Sequence, residues 1–266
     1  MAVALRPSTD FTSAQLAELF TVAYEGYFVP FKVDEAAVES MVESFDLDVA
    51  GSLVALDGDT PVGLANLGLR GERSWLGGIG VVSSHRRGGI GEQLTRALMD
   101  SARERGATKM LLEVITENAP AIALYEKLGF EHVRELEVLS LPEASGGGGA
   151  EEVPLEVAQA LIGARREEPE PWQREDETIA HLIARDPAPQ ALVAGDAAAI
   201  YRMSGPAVSL VQAAGGDTGL GGIITELRAL GPVSAVNYPA RGAVSAVMRE
   251  EGGEVTLRQH EMVAAL

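Results

Sequence analysis

Apolar residues in the first 142 positions recur at two spacings, and the changes of spacing divide this part of the chain into ten predicted elements. Leu16, Leu19 and Phe20 have the spacing of one helix face, after a cap at Thr9 or Asp10. Further helices are predicted at 34–45, from the glycine loop to about 105, and at 119–128. Strands are predicted at 3–6, 52–56, 61–69, 75–82, 110–115 and 130–139, with a hairpin at 57–59.

The end of the chain repeats part of this order. Its apolar pattern again predicts strands, a glycine-rich loop, a helix, a strand and a helix. Asn237 followed by Pro239 also resembles Asn118 followed by Pro120. The predicted strands are 201–203, 208–211, 233–237 and 255–266, and the predicted helices are 218–230 and 242–251.

A glycine-rich stretch separates the two parts. Residues 143–150 include Gly146-Gly147-Gly148-Gly149, a composition typical of a flexible linker that does not pack. We therefore predict a first domain at 1–142 and a second domain at 151–266. The acidic, proline-bearing segment at 167–177 is predicted to be a surface loop.

Composition and charge exclude several classes of function. The formal net charge of −18 over 266 residues argues against a nucleic-acid partner. The chain has no cysteine, which excludes disulfides, thiolate zinc sites and a cysteine nucleophile. No segment has the length and hydropathy of a membrane span, and the N-terminus lacks the pattern of a signal peptide. A cytoplasmic protein without a membrane partner is expected.

Residues 79–125 hold the candidate chemistry. An apolar strand is followed by Arg86-Arg87-Gly88-Gly89-Ile90-Gly91 and an amphipathic helix, and then by a second strand, Asn118 and Tyr125. A glycine loop that opens a helix brings backbone N–H groups and the positive end of the helix dipole to one point. Such a point favours an anion, and the two arginines add charge that a structural turn does not require.

This succession resembles the GNAT-type N-acetyltransferase superfamily, in which an R/Q-x-x-G-x-G/A loop holds acetyl-CoA. The motif maps to Arg86, Gly89 and Gly91, and the resemblance covers residues 1–142. It implies an α/β fold with a mixed, mostly antiparallel sheet and flanking helices, followed by a second, partial copy. It also implies acetyl-CoA as the acyl donor, without a metal.

The resemblance assigns the cofactor contacts to the loop and to the strand before it. The loop and first helical turn are expected to hold the diphosphate, and the N–H groups at Val81 and Val82 are expected to face the thioester oxygen. For Asn118, a helix cap is the alternative to a cofactor contact. The expected cofactor-binding residues are Val81, Val82, Arg86, Arg87, Gly88, Gly89, Ile90, Gly91, Glu92 and Asn118.

Two side chains are candidates for proton transfer. By resemblance, Tyr125 is the general acid towards the departing thiolate, and a core aromatic residue is the alternative interpretation. Glu113 lies in an apolar strand, where a carboxylate is costly unless it has a partner or borders a cleft. We predict that Glu113 takes the proton of the amine, directly or through water.

The aromatic segment Tyr24–Phe31 is predicted to form the acceptor wall, with a hydrophobic corner as the alternative. In the second part, the glycines at 215–222 lack an arginine and include Asp217, and Met248 stands where the first part has Tyr125. The second copy is therefore predicted to be non-catalytic.

The predicted reaction moves an acetyl group from acetyl-CoA directly to an amine-bearing small molecule or peptide. The alternative is an acyl-CoA-binding sensor or scaffold that does not transfer the group. Two further points stay open: whether the chain forms a homodimer, and whether the second domain closes the acceptor site or pairs strands with the first.

Overall fold

The computed structural model describes residues 3–29, 32–185 and 187–266 and has the mixed α/β architecture that the sequence predicts. Most strand pairs are antiparallel and helices accompany the strands, so the predicted fold class is confirmed.

Helices and strands follow the predicted order in the first 142 residues, whereas the strands Glu151–Glu152 and Gln190–Ala194 and the helices Leu155–Arg165 and Asp176–Ile183 were not predicted. No helix within the described residues is long and apolar enough to cross a membrane. The helices are α1 (Ser13–Ala23), α2 (Glu35–Ser44), α3 (Ile90–Glu104), α4 (Ala119–Lys127), α5 (Leu155–Arg165), α6 (Asp176–Ile183), α7 (Asp217–Leu230) and α8 (Ala243–Glu250). The strands are β1 (Ala4–Pro7), β2 (Leu53–Asp57), β3 (Thr60–Arg70), β4 (Arg73–Val81), β5 (Lys109–Ile115), β6 (Glu131–Leu141), β7 (Glu151–Glu152), β8 (Gln190–Ala194), β9 (Ala197–Ser204), β10 (Ala207–Ala214), β11 (Val233–Pro239) and β12 (Glu254–Ala265).

The chain divides into two compact units, residues 1–133 with 261–266, and residues 134–260. These units do not end at the glycine-rich stretch, where the sequence places the domain boundary. The last residues of the chain belong to the first unit, because Met262 and Ala264 are buried in its hydrophobic core. The predicted domains 1–142 and 151–266 remain a proposal about the chain's organisation.

In the first unit, strands β1 to β5 lie in chain order, and the C-terminal residues follow β5. The N–H of Leu266 donates to the Thr108 carbonyl oxygen over 2.9 Å. One core cluster joins Leu94 and Leu98 of α3 to the sheet, and a second joins Phe20 of α1 to Leu64.

In the second unit, the strand order is β6-β11-β10-β9-β8-β7. Its main core joins Leu220 and Ile223 of α7 to Tyr238 of β11 and Met248 of α8. Helix α5 packs separately against β9 through Ala158 and Ile162. Both α5 and α6 are absent from the sequence prediction. The apolar residues of α5 are spread around the helix and do not form one stripe, and α6 is only 8 residues long.

The cap of α1 differs from the prediction. Residues Ser8–Asp10 form a 3-10 turn, so Thr12 is the N-cap in place of Thr9 or Asp10. The Thr12 hydroxyl accepts from the Gln15 N–H, and the Gln15 side chain accepts from the Thr12 N–H. This reciprocal pair is a capping box.

The segment at 167–177 is not the surface loop that its composition predicts. Trp172 is completely buried, and only 6% of the Arg174 side chain is exposed. Arg174 can be buried because Glu170 neutralises it at 2.9 Å and the carbonyls of Val211 and Asn237 accept its N–H groups.

The stretch at 143–150 is also not a free linker, because it lies along α7. The Gly148 N–H donates to Glu226 Oε2 over 2.8 Å, and the Ala144 N–H donates to the Arg228 carbonyl oxygen over 3.1 Å. A Cβ on Gly148 would lie 1.7 Å from the Gly222 carbonyl oxygen. Glycine is therefore required here for close packing of two backbone segments.

Candidate active site

Strand β4 departs from regular antiparallel pairing with β3. Its register with β3 shifts between Ala65 and Leu67, which leaves one extra residue on β4 near Gly77 and Gly78. Gly78 has φ +141, and a Cβ on Gly80 would lie 2.9 Å from the Ala23 Cβ. Strand β4 therefore has a bulge, and its backbone at Gly80 packs closely against side chains of α1 and the residue that follows it.

Beyond this bulge, β4 and β5 separate. Their parallel pairing covers only Arg73–Trp75 with Lys109–Leu111, although β4 continues to Val81 and β5 to Ile115. The β5-facing edge of β4 therefore has unpaired backbone groups in this part of the first unit. An extended chain of amides could bind there as an added strand.

The direction of the β4 amides corrects one prediction. The Val82 N–H donates to the Val62 carbonyl oxygen over 2.9 Å, so it cannot face a thioester. Amide directions alternate along an antiparallel strand, so the Val81 N–H points away from β3, towards the open edge. Val81 and Val82 cannot both be oxyanion donors for this geometric reason.

The glycine loop leaves the N-terminus of α3 without a side-chain cap. Gly89 is the N-cap with φ +84, and the first intrahelical bond is from the Gln93 N–H to the Gly89 carbonyl oxygen. The N–H groups of Ile90, Gly91 and Glu92 therefore have no intrahelical partner. By contrast, side chains cap α1, α2 and α4.

The two arginines of the loop have different roles. Arg86 donates through its guanidinium to the carbonyl oxygens of Val81, Ala23 and Glu25 over 2.8, 3.0 and 2.8 Å. It therefore fastens the end of β4 to the end of α1. Arg87 is exposed, has φ +66 and makes no ion pair among the described residues.

Glu92, in the first turn of α3, is bound by two cations. Its carboxylate accepts from Arg96 at 2.9 Å and from Lys127 of α4 at 2.7 Å. These hydrogen bonds lower the pKa of Glu92. The side chain of Glu92 therefore joins α3 to α4, and its backbone N–H is the part that can bind an anion.

Asn118 has the helix-cap role that the sequence left open. Its side-chain oxygen accepts from the Ala121 N–H over 3.4 Å at the start of α4. Its side chain is also hydrogen-bonded to the Tyr27 phenol, which opposes the increase that burial causes in the Tyr27 pKa. Asn118 thus connects α4 to the segment after α1.

Tyr125 is 5% exposed and lies in α4 with its ring centroid 5.6 Å from that of Phe130. Burial raises its pKa, and the nearby Tyr27 phenol adds to the increase. Burial also raises the pKa of Tyr24, whose hydroxyl is hydrogen-bonded to the backbone of Ile79 in β4. Three phenols are therefore close together beside the open edge of β4.

Glu113 is half-buried on β5, and its Oε2 accepts from the Trp75 indole N–H over 2.8 Å. Its neighbours Leu112 and Val114 are buried in the cluster with α3, so Glu113 faces the other side of the sheet. On that side, Trp75 also contacts Phe45 with ring centroids 5.7 Å apart.

The predicted acceptor segment forms an aromatic chain, although Pro30 and Phe31 lie outside the described residues. Phe20 stacks on Tyr24 at 4.8 Å, and Tyr24 meets Tyr27 edge-on at 5.0 Å. Phe20 also lines a small, mainly apolar pocket of about 20 Å³ between α1, α2 and the sheet.

The corresponding loop of the second unit is filled by the protein itself. The Gly216 N–H donates to Asp196 Oδ1 over 3.3 Å, next to the start of α7. A Cβ on Gly219 would lie 2.3 Å from the Ala194 carbonyl oxygen. These glycines therefore serve close packing against the turn between β8 and β9.

The sequence did not predict the hydrogen bonds of Arg86 to three carbonyl oxygens, the Trp75–Glu113 hydrogen bond or the ion pair between Lys127 and Glu92. Each of them depends on a contact between distant segments. The aromatic residues near Tyr24 were a usable signal for the phenol cluster, since they are concentrated in a chain with 5% aromatic residues.

The sequence of this chain matches known acetyltransferases over part of its length. Residues 14–130 match the family described as Acetyltransferase (GNAT) family. Streptothricin acetyltransferase of Streptomyces lavendulae is 48% identical over 59 residues, which are 22% of this chain and 31% of that protein. The chain spans less than a third of the length of the first curated relatives it matches.

Two solved structures are similar over nearly the whole chain. A GCN5-related N-acetyltransferase from Sphaerobacter thermophilus has a TM-score of 0.71 at 14% identity and covers 99% of this chain and 95% of that chain. A tandem GNAT protein from the clavulanic acid biosynthesis pathway has a TM-score of 0.63 at 15% identity and covers 99% and 98%. At these identities the likeness shows the fold.

Proposed function

Because the chain carries a domain of the acetyltransferase (GNAT) family, we propose that it transfers an acetyl group from acetyl-CoA to an amine. The observation that carries the proposal is the uncapped N-terminus of α3, which lies directly after a strand with an open edge. The proposal includes a cytoplasmic location.

The backbone of α3 suits a diphosphate. The N–H groups of Ile90, Gly91 and Glu92 are unpaired within the helix, and a Cβ on Gly89 would meet no atom within 4 Å. The loop is thus not filled by side chains at this position. Arg87 supplies the positive charge, since the guanidinium of Arg86 is bound to carbonyl oxygens.

When bound, acetyl-CoA supplies the activated acetyl group. The open edge of β4 accommodates an amide-bearing arm, and the Val81 N–H faces that edge and can stabilise an oxyanion. A C–N bond forms to the acceptor as the C–S bond breaks.

Two groups move protons. The Tyr125 hydroxyl donates to the departing sulfur, and its raised pKa keeps the phenol protonated until that base is present. Glu113 takes the proton of the attacking amine, and the Trp75 N–H holds its carboxylate in place. Because Glu113 faces away from α3, the acceptor belongs on the side of α1 and α2.

The second unit is proposed to be a degenerate copy without acetyl transfer. Its glycine loop binds Asp196 where the first unit leaves amides open, and Met248 is buried in its core. A carboxylate at this position repels a diphosphate.

Turnover with a panel of amines tests the proposed function. Acetyl-CoA should be consumed only when an accepted amine is present, with free thiol and an acetylated amine of increased mass formed in equal amounts. Binding of acetyl-CoA without thiol release for small amines, apolar amines and peptides would instead support an acyl-CoA sensor.

A further inference from the structure

The second unit contains an open pocket of about 120 Å³ at the ends of β10 and β11. These strands pair in parallel only from Val208–Leu210 to Val233–Ala235 and then separate. Residues 213–215 line the pocket at the end of β10, and Tyr238 and Pro239 line it at the end of β11.

The lining of this pocket is rich in arginine. It includes Arg165, Arg166, Arg174 and Arg241, together with three glutamates, Glu167, Glu168 and Glu170. Glu168 and Glu170 are already ion-paired, to Arg134 at 2.9 Å and to Arg174 at 2.9 Å. The lining residues themselves comprise four arginines and three glutamates, and Arg165 and Arg166 are in turn paired with Asp196 and Asp176 outside the lining.

Arg241 is the arginine that is available to a ligand. It is exposed and has no ion pair or hydrogen bond among the described residues, whereas Arg165 and Arg166 are paired with Asp196 and Asp176. It directly precedes Gly242, the N-cap of α8, where no side chain caps the helix. The Arg241 guanidinium and the backbone N–H groups at the start of α8 therefore lie next to each other, and both favour an anion.

Tyr238 gives an independent indication of a ligand. This residue is 1% exposed and lines the pocket, yet its hydroxyl has no hydrogen-bond partner among the described residues. Arg174 lies over its ring, 3.1 Å from the centroid, and so fixes the orientation of the ring. A buried hydroxyl without a partner is costly, and a ligand would remove that cost.

We propose that this pocket binds a small organic anion. A carboxylate or phosphate lies between Arg241 and the first turn of α8, and a polar atom of the same ligand bonds to the Tyr238 hydroxyl. The apolar surface of Ala213, Ala214 and Val244 contacts the remainder. The diphosphate of coenzyme A is not the ligand, because Asp196 already binds the loop before α7.

Calorimetric titration of the full chain tests this site. The probes are citrate and malonate for carboxylates, and glycerol 3-phosphate and inorganic phosphate for phosphates. We expect at least one of them to bind with a Kd of about 1 mM or tighter. Arg241→Gln and Tyr238→Phe should each weaken that binding about tenfold, because each removes a hydrogen bond to the ligand.

Two matched variants locate the site. Arg202→Gln removes the same charge from β9 of the same unit, and Arg87→Ala alters only the glycine loop of the first unit. Both should bind the probe as the unaltered chain does. The proposal is overturned if no probe binds, if Arg241→Gln binds equally well, or if Arg87→Ala abolishes binding.

Discussion

The Arg86 guanidinium donates from Nε to the Val81 carbonyl oxygen over 2.8 Å, so the arginine that begins the glycine-loop motif is bound to the strand before it. Its other bonds reach the end of α1. This fixes the residue whose N–H faces the open edge of β4. The charge for a diphosphate must then come from Arg87.

Arg86→Lys should therefore change the stability of the protein, whereas Arg87→Ala should change its affinity for coenzyme A. Lysine cannot bind three carbonyls in a fixed geometry, so Arg86→Lys should lower the free energy of unfolding by about 1–2 kcal/mol. Arg87→Ala should leave stability unchanged and weaken coenzyme A binding about tenfold. Denaturant unfolding and calorimetry check both, and equal effects of the two variants on stability would contradict the distinction.

Tyr125→Phe should lower kcat about a hundredfold or more and change the affinity for coenzyme A little, because only proton donation is lost. Initial rates at saturating amine, with binding measured separately, check this. Tyr201→Phe is the matched control, since Tyr201 is also buried but lies in the second unit. An unchanged kcat in Tyr125→Phe would remove its role as the acid.

The pH dependence of kcat follows from the raised pKa of Tyr125. A free tyrosine ionises near pH 10, and burial moves this ionisation to higher pH, so the acid stays protonated throughout the working range. The rate should rise as the amine loses its proton and should not fall below about pH 10. A descending limb below pH 9 that disappears in Tyr125→Phe would show a lowered pKa instead.

The C-terminal residues should stabilise the first unit. Met262→Ala removes a side chain that is 2% exposed and should lower the free energy of unfolding by about 2–4 kcal/mol. Met203→Ala is the control, because Met203 is 40% exposed. Hydrogen exchange of the β5 amides should accelerate only in Met262→Ala. A chain cut after residue 142 that is soluble and fully active would contradict this role.

Local patterns were sufficient to predict most elements of the first unit. The start of α3 follows from the glycine loop that directly precedes it. The order of strands and helices could be read for the same reason. The assigned roles of Tyr125, Glu113 and the loop residues stay predictions.

Long-range contacts explain what the sequence did not predict. The Val82 N–H donates to Val62 and is unavailable to a ligand, because the strand register determines the direction of each amide. Trp172 is buried and Gly148 packs on Gly222 although their segments have the composition of loops. The assignment of Met262 to the first unit likewise depends on a contact made from the end of the chain.

Titration of coenzyme A into the full chain, the Gly91→Asp variant and the Ala36→Asp variant tests the central claim most directly. An aspartate in the first turn of α3 suits the helix dipole, so Gly91→Asp should fold normally while its carboxylate repels the diphosphate. Ala36→Asp adds the same charge to the first turn of α2. We predict that coenzyme A binds to the full chain and to Ala36→Asp and at least about tenfold more weakly to Gly91→Asp. Equal binding by all three, or no binding to the unaltered chain, would contradict the proposed anion site at the start of α3.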